Sequence, residues 1–334
     1  MDAPLTPITR NSPTGRTPSA APGTERPVAA NTPAIPGPGA GACATGLLSV
    51  ANRPSPLPVP NKIHMYWQGS ASAFARHLQT VTAIAESNPA WRSRLHMMAD
   101  TPADAAGIHA LLRDSGVKVK ALTAEGWFQA FQQTPRYRQF QAACTGSRAH
   151  AAAAADVIKT ELLARKGGVW SDVDNLPLLP MPATLEVAPG GVLTAGPARF
   201  TRWGGQRGVH CSTLATHAQN ATLDAINTAS FDKFRKLEGV LFASNAVTDD
   251  PDRHFQLISE TGGSVHLSQE LMQRDAGFRD EVERLHADGA RVGERHAIFD
   301  ACFKPQATTG CGTLDDAQIL TLLERLSPPG HVVI

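Results

Sequence analysis

Cysteine is scarce and unpatterned in this chain. The five cysteines, Cys43, Cys144, Cys211, Cys302 and Cys311, are odd in number and form no Cys-x-x-Cys. That argues against a zinc site and a disulfide scaffold, and fits work in a reducing compartment. No apolar run approaches the ~18 residues that mark a transmembrane helix, so no membrane anchor is expected. The N-terminus lacks a basic stub followed by an apolar core, so a Sec-type signal peptide is not expected. Neither sign of charge dominates: 31 Lys and Arg face 30 Asp and Glu, and no basic run stands out. A nucleic acid is therefore not an expected partner.

Residues 1–60 lack lysine and all three aromatic residue types, and they hold 13 of the 25 prolines. Such a segment buries too little apolar surface to offset its ordering entropy, so it reads as a disordered Pro-rich tail. The remainder, residues 61–334, is long enough for a substantial domain.

Order is expected to begin at Asn61–Gly69, a β-favouring run read as a buried strand. A helix follows from Phe74 to Ser87, stopped by Asn88-Pro89, and then a strand over Arg94–Asp100. A helix over Ala103–Asp114 and a strand over Val117–Leu122 continue the alternation. That pattern predicts an α/β, Rossmann-like fold with a mostly parallel sheet flanked by helices and ligands at the strands' carboxyl ends.

The most informative stretch lies further on. Ala151–Ala155 lead into a helix over Asp156–Arg165, and Gly167-Gly168 supply a tight turn into a strand at Val169-Trp170. Continued strand alternation would set Asp172 and Asp174 on one face with Val173 buried on the other. Paired carboxylates at a strand end favour a hard divalent ion, Mn²⁺ or Mg²⁺, with coordination positions left for a diphosphate. Strands over Gly191–Ala195 and His210–Thr216 and a helix over Ala221–Lys236 follow, with a glycine-rich loop at Arg202–Gly208. Cys211 beside His210 is a poor nucleophile–base pair, because neighbours on a strand point to opposite faces. An exposed helix is expected over Asp280–His286, and a last one capped by Thr313.

The run AAADVIKTELLARKGGVWSDVDNLPLLP resembles the signature of retaining GT-A glycosyltransferases with a sugar-binding Asp-x-Asp region. Among these are the clostridial glucosylating toxins, a group of mannosyltransferases and several bacterial effector transferases. Asn61–Gly69 is similar to the opening strand of the same families. This chain departs from the pattern at Ala155, Lys159 and Trp170, which stand for Ser, Arg and Tyr. Lysine keeps the charge of arginine without its planar fork.

The resemblance implies roles. Trp67 would be the platform for the nucleotide base, and Asp156 would orient donor-sugar hydroxyls. Lys159 would place charge near the diphosphate. Asp174 would hold the metal, with Asp172 helping through ribose, sugar or water. Asp172, Asp174 and Lys159 are then the catalytic candidates, with the configuration of the sugar retained. The donor expected is a UDP-sugar of glucose or N-acetylglucosamine type. The acceptor expected is a protein side chain in a host cell, reached by a non-Sec, type III-like route for which the Pro-rich segment would serve as leader. A bacterial enzyme of surface-polysaccharide synthesis, working in the cytoplasm, and a catalytically impaired sugar-nucleotide-binding protein are the alternatives. His296, Asp300 and His331 have the chemistry of a C-terminal metal or diphosphate ligand, but no motif singles one out.

Overall fold

The computed structural model describes residues 55–145, 150–200, 205–241, 251–287 and 302–304. Strand β1 spans Lys62–Gly69. A short helix at Ala71–Phe74 and a 3₁₀ turn at Ala75–His77 lead into α1, Leu78–Ser87. The single helix expected from Phe74 is thus two pieces. Strand β2 is Arg92–Ala99, and α2 is Pro102–Leu111. Thr101 starts α2 by accepting from Asp104 N at 3.1 Å, with Pro102 in the first helical turn, where a missing N–H costs nothing.

Strand β3 is Lys118–Ala121, followed by α3, Gly126–Gln132, and α4, Tyr137–Cys144. Helix α5 runs over Ala151–Lys166 and turns into β4, Gly168–Ser171. Strands β5, Leu193–Thr194, and β6, Thr213–Thr216, come next, and α6 runs over Ala221–Leu241. Helices α7, Pro251–Thr261, α8, Ser264–Arg274, and α9, Ala276–Ala287, complete the described chain but for a strand at Phe303–Lys304.

The six strands form one sheet in the order β3-β2-β1-β4-β6-β5. The first four are parallel, while β6 runs antiparallel to both β4 and β5. Side chains alternate across the sheet and divide the interior in two. Ile63, Met65, Leu95, Val169 and Ala215 pack with Phe74, Val81, Ile84 and Ile108 on the α1–α2 face. Tyr66, Trp170 and Leu214 pack on the other face with Phe128, Phe140, Val157, Ile158, Leu162, Leu223 and Phe234 from α3, α4, α5 and α6. The α/β architecture expected from the strand–helix alternation is therefore observed.

Three local expectations are corrected. Order is present from residue 55, ahead of the expected boundary at 60: Leu57-Pro58 pair with Glu186-Val187, and Val59 is buried with its N–H on Leu185 O at 2.8 Å. The stretch read as a loop to Gly208 contains a strand, Gln206–Val209, paired with Pro197–Phe200. The strand expected from His210 begins only at Thr213. The helix predicted after Thr313 lies outside the described residues.

The Gly167-Gly168 pair fixes how α5 meets the sheet. Gly167 ends the helix at φ +58°, where a Cβ would lie 2.5 Å from Ala218 N. Gly168 opens β4 at φ +107°, and a Cβ there would meet Lys62 O at 2.9 Å and the His64 ring at 3.0 Å. Gly116 has φ +74° but nothing within 4 Å of its Cβ position. Gly116→Ala therefore carries backbone strain alone, whereas Gly168→Ala carries strain and crowding. Gly168→Ala should cost about 2–4 kcal/mol, and Gly116→Ala about 1 kcal/mol. Urea titration of the two variants checks this, and equal losses would refute the crowding.

Candidate active site

Helix α5 brings the site's charges to the sheet. His150 caps it, its ring accepting from Ala153 N at 3.3 Å, and the small Ala151–Ala155 run lets it enter among its neighbours. Asp156 and Lys159 then fall on one side, one turn apart. Lys159 is not a solvated helix residue: it is 2 % exposed. Its ammonium donates to Cys211 O at 2.8 Å and to Asp156 Oδ1 at 3.1 Å, and lies 3.3 Å from Asp172 Oδ1. It also sits 5.6 Å from the centre of the Trp170 ring, within cation–π range.

Beyond β4 the chain does not continue as a strand. Asp172 to Asn175 form a turn, with Asn175 N donating to Asp172 O at 3.2 Å. The placement of both carboxylates on one strand face with Val173 buried behind them is therefore not met, and Val173 is half-buried beside the α1–α2 core. The turn is fixed from outside. Asp172 N donates to Ser212 O at 2.9 Å, and the buried Asn175 amide reaches Ser212 O at 2.9 Å and Thr213 Oγ1 at 3.0 Å. Trp170 Nε1 donates to Asp172 Oδ1 at 2.7 Å.

The electrostatics follow from burial. Burial presses the Lys159 ammonium towards its neutral form, but the neighbouring Asp172 and Asp156 outweigh it and hold its pKa well above the usual lysine range. Burial raises the Asp156 carboxyl, and Lys159 pulls against that. The Asp174 carboxyl is raised by burial and then by Asp172, with His77 and Lys159 opposing. Burial pushes the Cys211 thiol to about 12, so it stays neutral and is no nucleophile.

The structure gathers Asp156, Lys159 and Asp172 into one cluster and sets Asp174 at the next bend. Trp67 stands near the carboxyl end of β1, half-buried, with its ring edge-on to Phe74 at 5.4 Å and tilted against His77 at 5.3 Å. His77 thus links the Trp67 side to the Asp174 side. The N-terminus of α8 closes behind Asp156: a Cβ on Gly263 would lie 3.1 Å from Asp156 Oδ2, and Ser264 Oγ is 2.6 Å from Cys211 Sγ. His77, Asn175 and the Cys211 carbonyl escaped the sequence reading, since only the fold joins them to the Asp turn. Trp170 was visible there only as a departure from a pattern. His296, Asp300 and His331 lie outside the described residues.

Among the described residues no group of three or more His, Cys, Asp or Glu side chains is arranged to hold a metal ion. The donor set nevertheless suits a hard cation that takes its other ligands from a substrate. Asp172 Oδ1 is engaged by the indole and the ammonium, which leaves Oδ2, while burial and Asp172 both raise the Asp174 carboxyl, an effect a cation there would oppose.

No known family model matches the chain, and no curated protein matches it. In fold it is similar to a solved structure described as the PaToxG glycosyltransferase, with a TM-score of 0.55, 15% identity, and coverage of 76% of this chain and 83% of that one. The fold is that of a GT-A glycosyltransferase. The ligand-free glycosyltransferase domain of the YGT toxin gives a TM-score of 0.43 at 10% identity, covering 67% of this chain and 79% of that one. The catalytic domain of Clostridium novyi alpha-toxin gives 0.43 at 9% identity, covering 61% and 63%.

Removing the ammonium would leave two crowded carboxyls and an orphaned carbonyl. Lys159→Met should therefore destabilise the chain by about 3 kcal/mol. The double variant Lys159→Met with Asp156→Asn should recover part of the loss, because one buried charge goes with it. Denaturant midpoints read both effects, and an unchanged midpoint for Lys159→Met would show the ion pairs to be energetically idle.

Proposed function

We propose that the chain is a retaining, metal-dependent glycosyltransferase that moves a sugar of glucose or N-acetylglucosamine type from a UDP-sugar to a protein side chain in a host cell. The observation that carries this reading is the Asp156–Lys159–Asp172 cluster beside the Asp174 turn, in a chain with the fold of a GT-A glycosyltransferase. Among the described residues no helix is long and apolar enough to cross a membrane.

In this reading Asp174, helped by Asp172 Oδ2, holds Mn²⁺ or Mg²⁺. The ion would neutralise charge growing on the leaving diphosphate. Asp156 presents Oδ2 to hydroxyls of the donor sugar, since its other oxygen is held by Lys159. Lys159 lacks the planar fork that grips a phosphate bidentately, and in its buried place it acts by fixing both carboxylates. Trp67 offers an aromatic face to the uracil. Among the described residues no carboxylate stands out as a nucleophile, which suits a front-face displacement with retention. The direct test is intact-protein mass spectrometry of a host lysate incubated with the chain and a panel of nucleotide sugars. A hexose or N-acetylhexosamine mass gained on a lysate protein is expected, and no gain with any donor refutes the transfer.

Asp174→Ala should abolish hydrolysis and transfer of the UDP-sugar while leaving the melting temperature near that of the wild type. Excess EDTA should do the same and Mn²⁺ should restore activity. Full turnover in EDTA would end the metal assignment.

Stacking on a base is worth about 1–3 kcal/mol, so Trp67→Ala should weaken UDP binding about 5- to 150-fold. Calorimetry decides this, and an unaltered affinity would leave Trp67 as a core residue only.

A further inference from the structure

Two of the three departures from the glycosyltransferase pattern, Lys159 and Trp170, lie against each other and converge on one atom. Trp170 Nε1 donates to Asp172 Oδ1 at 2.7 Å, and Lys159 Nζ lies 3.3 Å from the same oxygen and 5.6 Å from the indole centre. An arginine would bring several fixed N–H donors to a carboxylate, whereas a lysine supplies one compact charge that must also serve Asp156 and the Cys211 carbonyl. A tyrosine would carry its donor at the far tip of the ring, whereas the indole carries Nε1–H close to the backbone, within reach of a residue two positions on. The pair present here therefore divides the work: the ammonium brings charge, and the indole brings a directed hydrogen bond.

We propose that Trp170 is a positioning residue that acts through Asp172. Its N–H and Lys159 together occupy Oδ1, so that Oδ2 alone is presented to the donor or its metal. The indole is suited to this because it cannot move: Trp170 is 1 % exposed and packed among the buried residues of the α5 face, and β4 holds its backbone in register with His64 and Leu214. Asp172, one-third exposed, has no such packing to fix its rotamer. Its backbone is held by Ser212 and its carboxylate by the indole and the ammonium. The proposal rests on the donor reading given above, in which Asp172 faces the sugar nucleotide.

The test is a double-mutant cycle in which UDP binding is measured by calorimetry with Mn²⁺ present. Trp170→Phe keeps an aromatic ring and removes the N–H. It should weaken UDP binding about tenfold, the loss of one hydrogen bond to a charged group. In the Asp172→Asn background the same change should have almost no further effect, because the residue it acts through is already altered. A tenfold loss in both backgrounds would mean that Trp170 supports the fold rather than Asp172, and no loss in either would leave it without a role. In steady-state hydrolysis of UDP-glucose and UDP-N-acetylglucosamine, Trp170→Phe should raise KM for the accepted donor as well as lower kcat. A kcat decrease with KM unchanged would count against positioning of the donor.

Should Trp170→Phe fail to fold, or Asp172→Asn bind too weakly to measure, the indole N–H resonances of the five tryptophans give a second readout. Asp172→Asn must shift one of them, and a spectrum in which none moves overturns the proposal. A wild-type chain that binds no UDP with any divalent ion while the indole shift is present would instead overturn the donor reading. The Trp170–Asp172 bond would then stand as structure, and the claim that it serves a donor would fall with that reading.

Discussion

One buried ammonium sets the geometry on which the site depends. Withdrawing a lysine from water costs several kcal/mol unless each of its donors finds a partner in good geometry. Lys159 finds Asp156 on its own helix, the Cys211 carbonyl ahead of β6, and Asp172 in the turn after β4, with the Trp170 ring beneath it. These partners belong to three separate stretches of chain. Satisfying the one charge therefore brings the three together, and any shift in one strands a charge or a carbonyl in the other two.

The same helix carries a second buried knot one step further along. Arg136 donates to Glu161 Oε2 at 2.7 Å, to Thr160 Oγ1 at 3.0 Å and to Val157 O at 3.3 Å, while Arg165 holds the other oxygen of Glu161 at 2.6 Å. Lys159, Thr160 and Glu161 are consecutive and all buried, so they cannot share a face. Helix α5 is thus apolar and ionic on several sides at once, and it sits inside the molecule because its charges are paired. A helix held in this way is oriented by directed contacts as well as by packing. That matters for a residue such as Asp156, whose use depends on which oxygen it turns outward.

This divides what the sequence could disclose from what it could not. The strand–helix alternation of the first half was legible, because apolar runs and their glycine or Asn-Pro stops are local signals. Gly167-Gly168 were legible for the same reason. The geometry after Ser171 was not: alternation would have carried Asp172 and Asp174 along a strand, but Asn175 is bonded to Ser212 and Thr213, which are far along the chain, and that bonding makes a turn. Helices α3 and α4 were also missed. Their aromatic residues, Trp127, Phe128, Phe131, Tyr137 and Phe140, pack edge to face or tilted on one another and in one core with α5, so their order comes from partners rather than from a long periodic run. Lys159 reads in sequence as a charge near a diphosphate; its burial and its contacts with Asp156 and Asp172 depend on the fold and were not legible.

That sharing has a consequence for Asp174. Three carboxyl groups, those of Asp156, Asp172 and Asp174, gather around one ammonium that is in hydrogen-bond or ion-pair contact with the first two only. Asp172 adds its repulsion to the burial of Asp174, and the opposing pull of His77 and Lys159 does not cancel them. A diphosphate brought to such a place alone would meet like charge. In the proposed reading a divalent cation would reverse the sign, offsetting the carboxyls and presenting positive charge to the phosphates. The buried lysine therefore does more than assemble the site. It engages Asp156 and Asp172 and leaves Asp174 outside its contacts, which is where the proposed metal would bind.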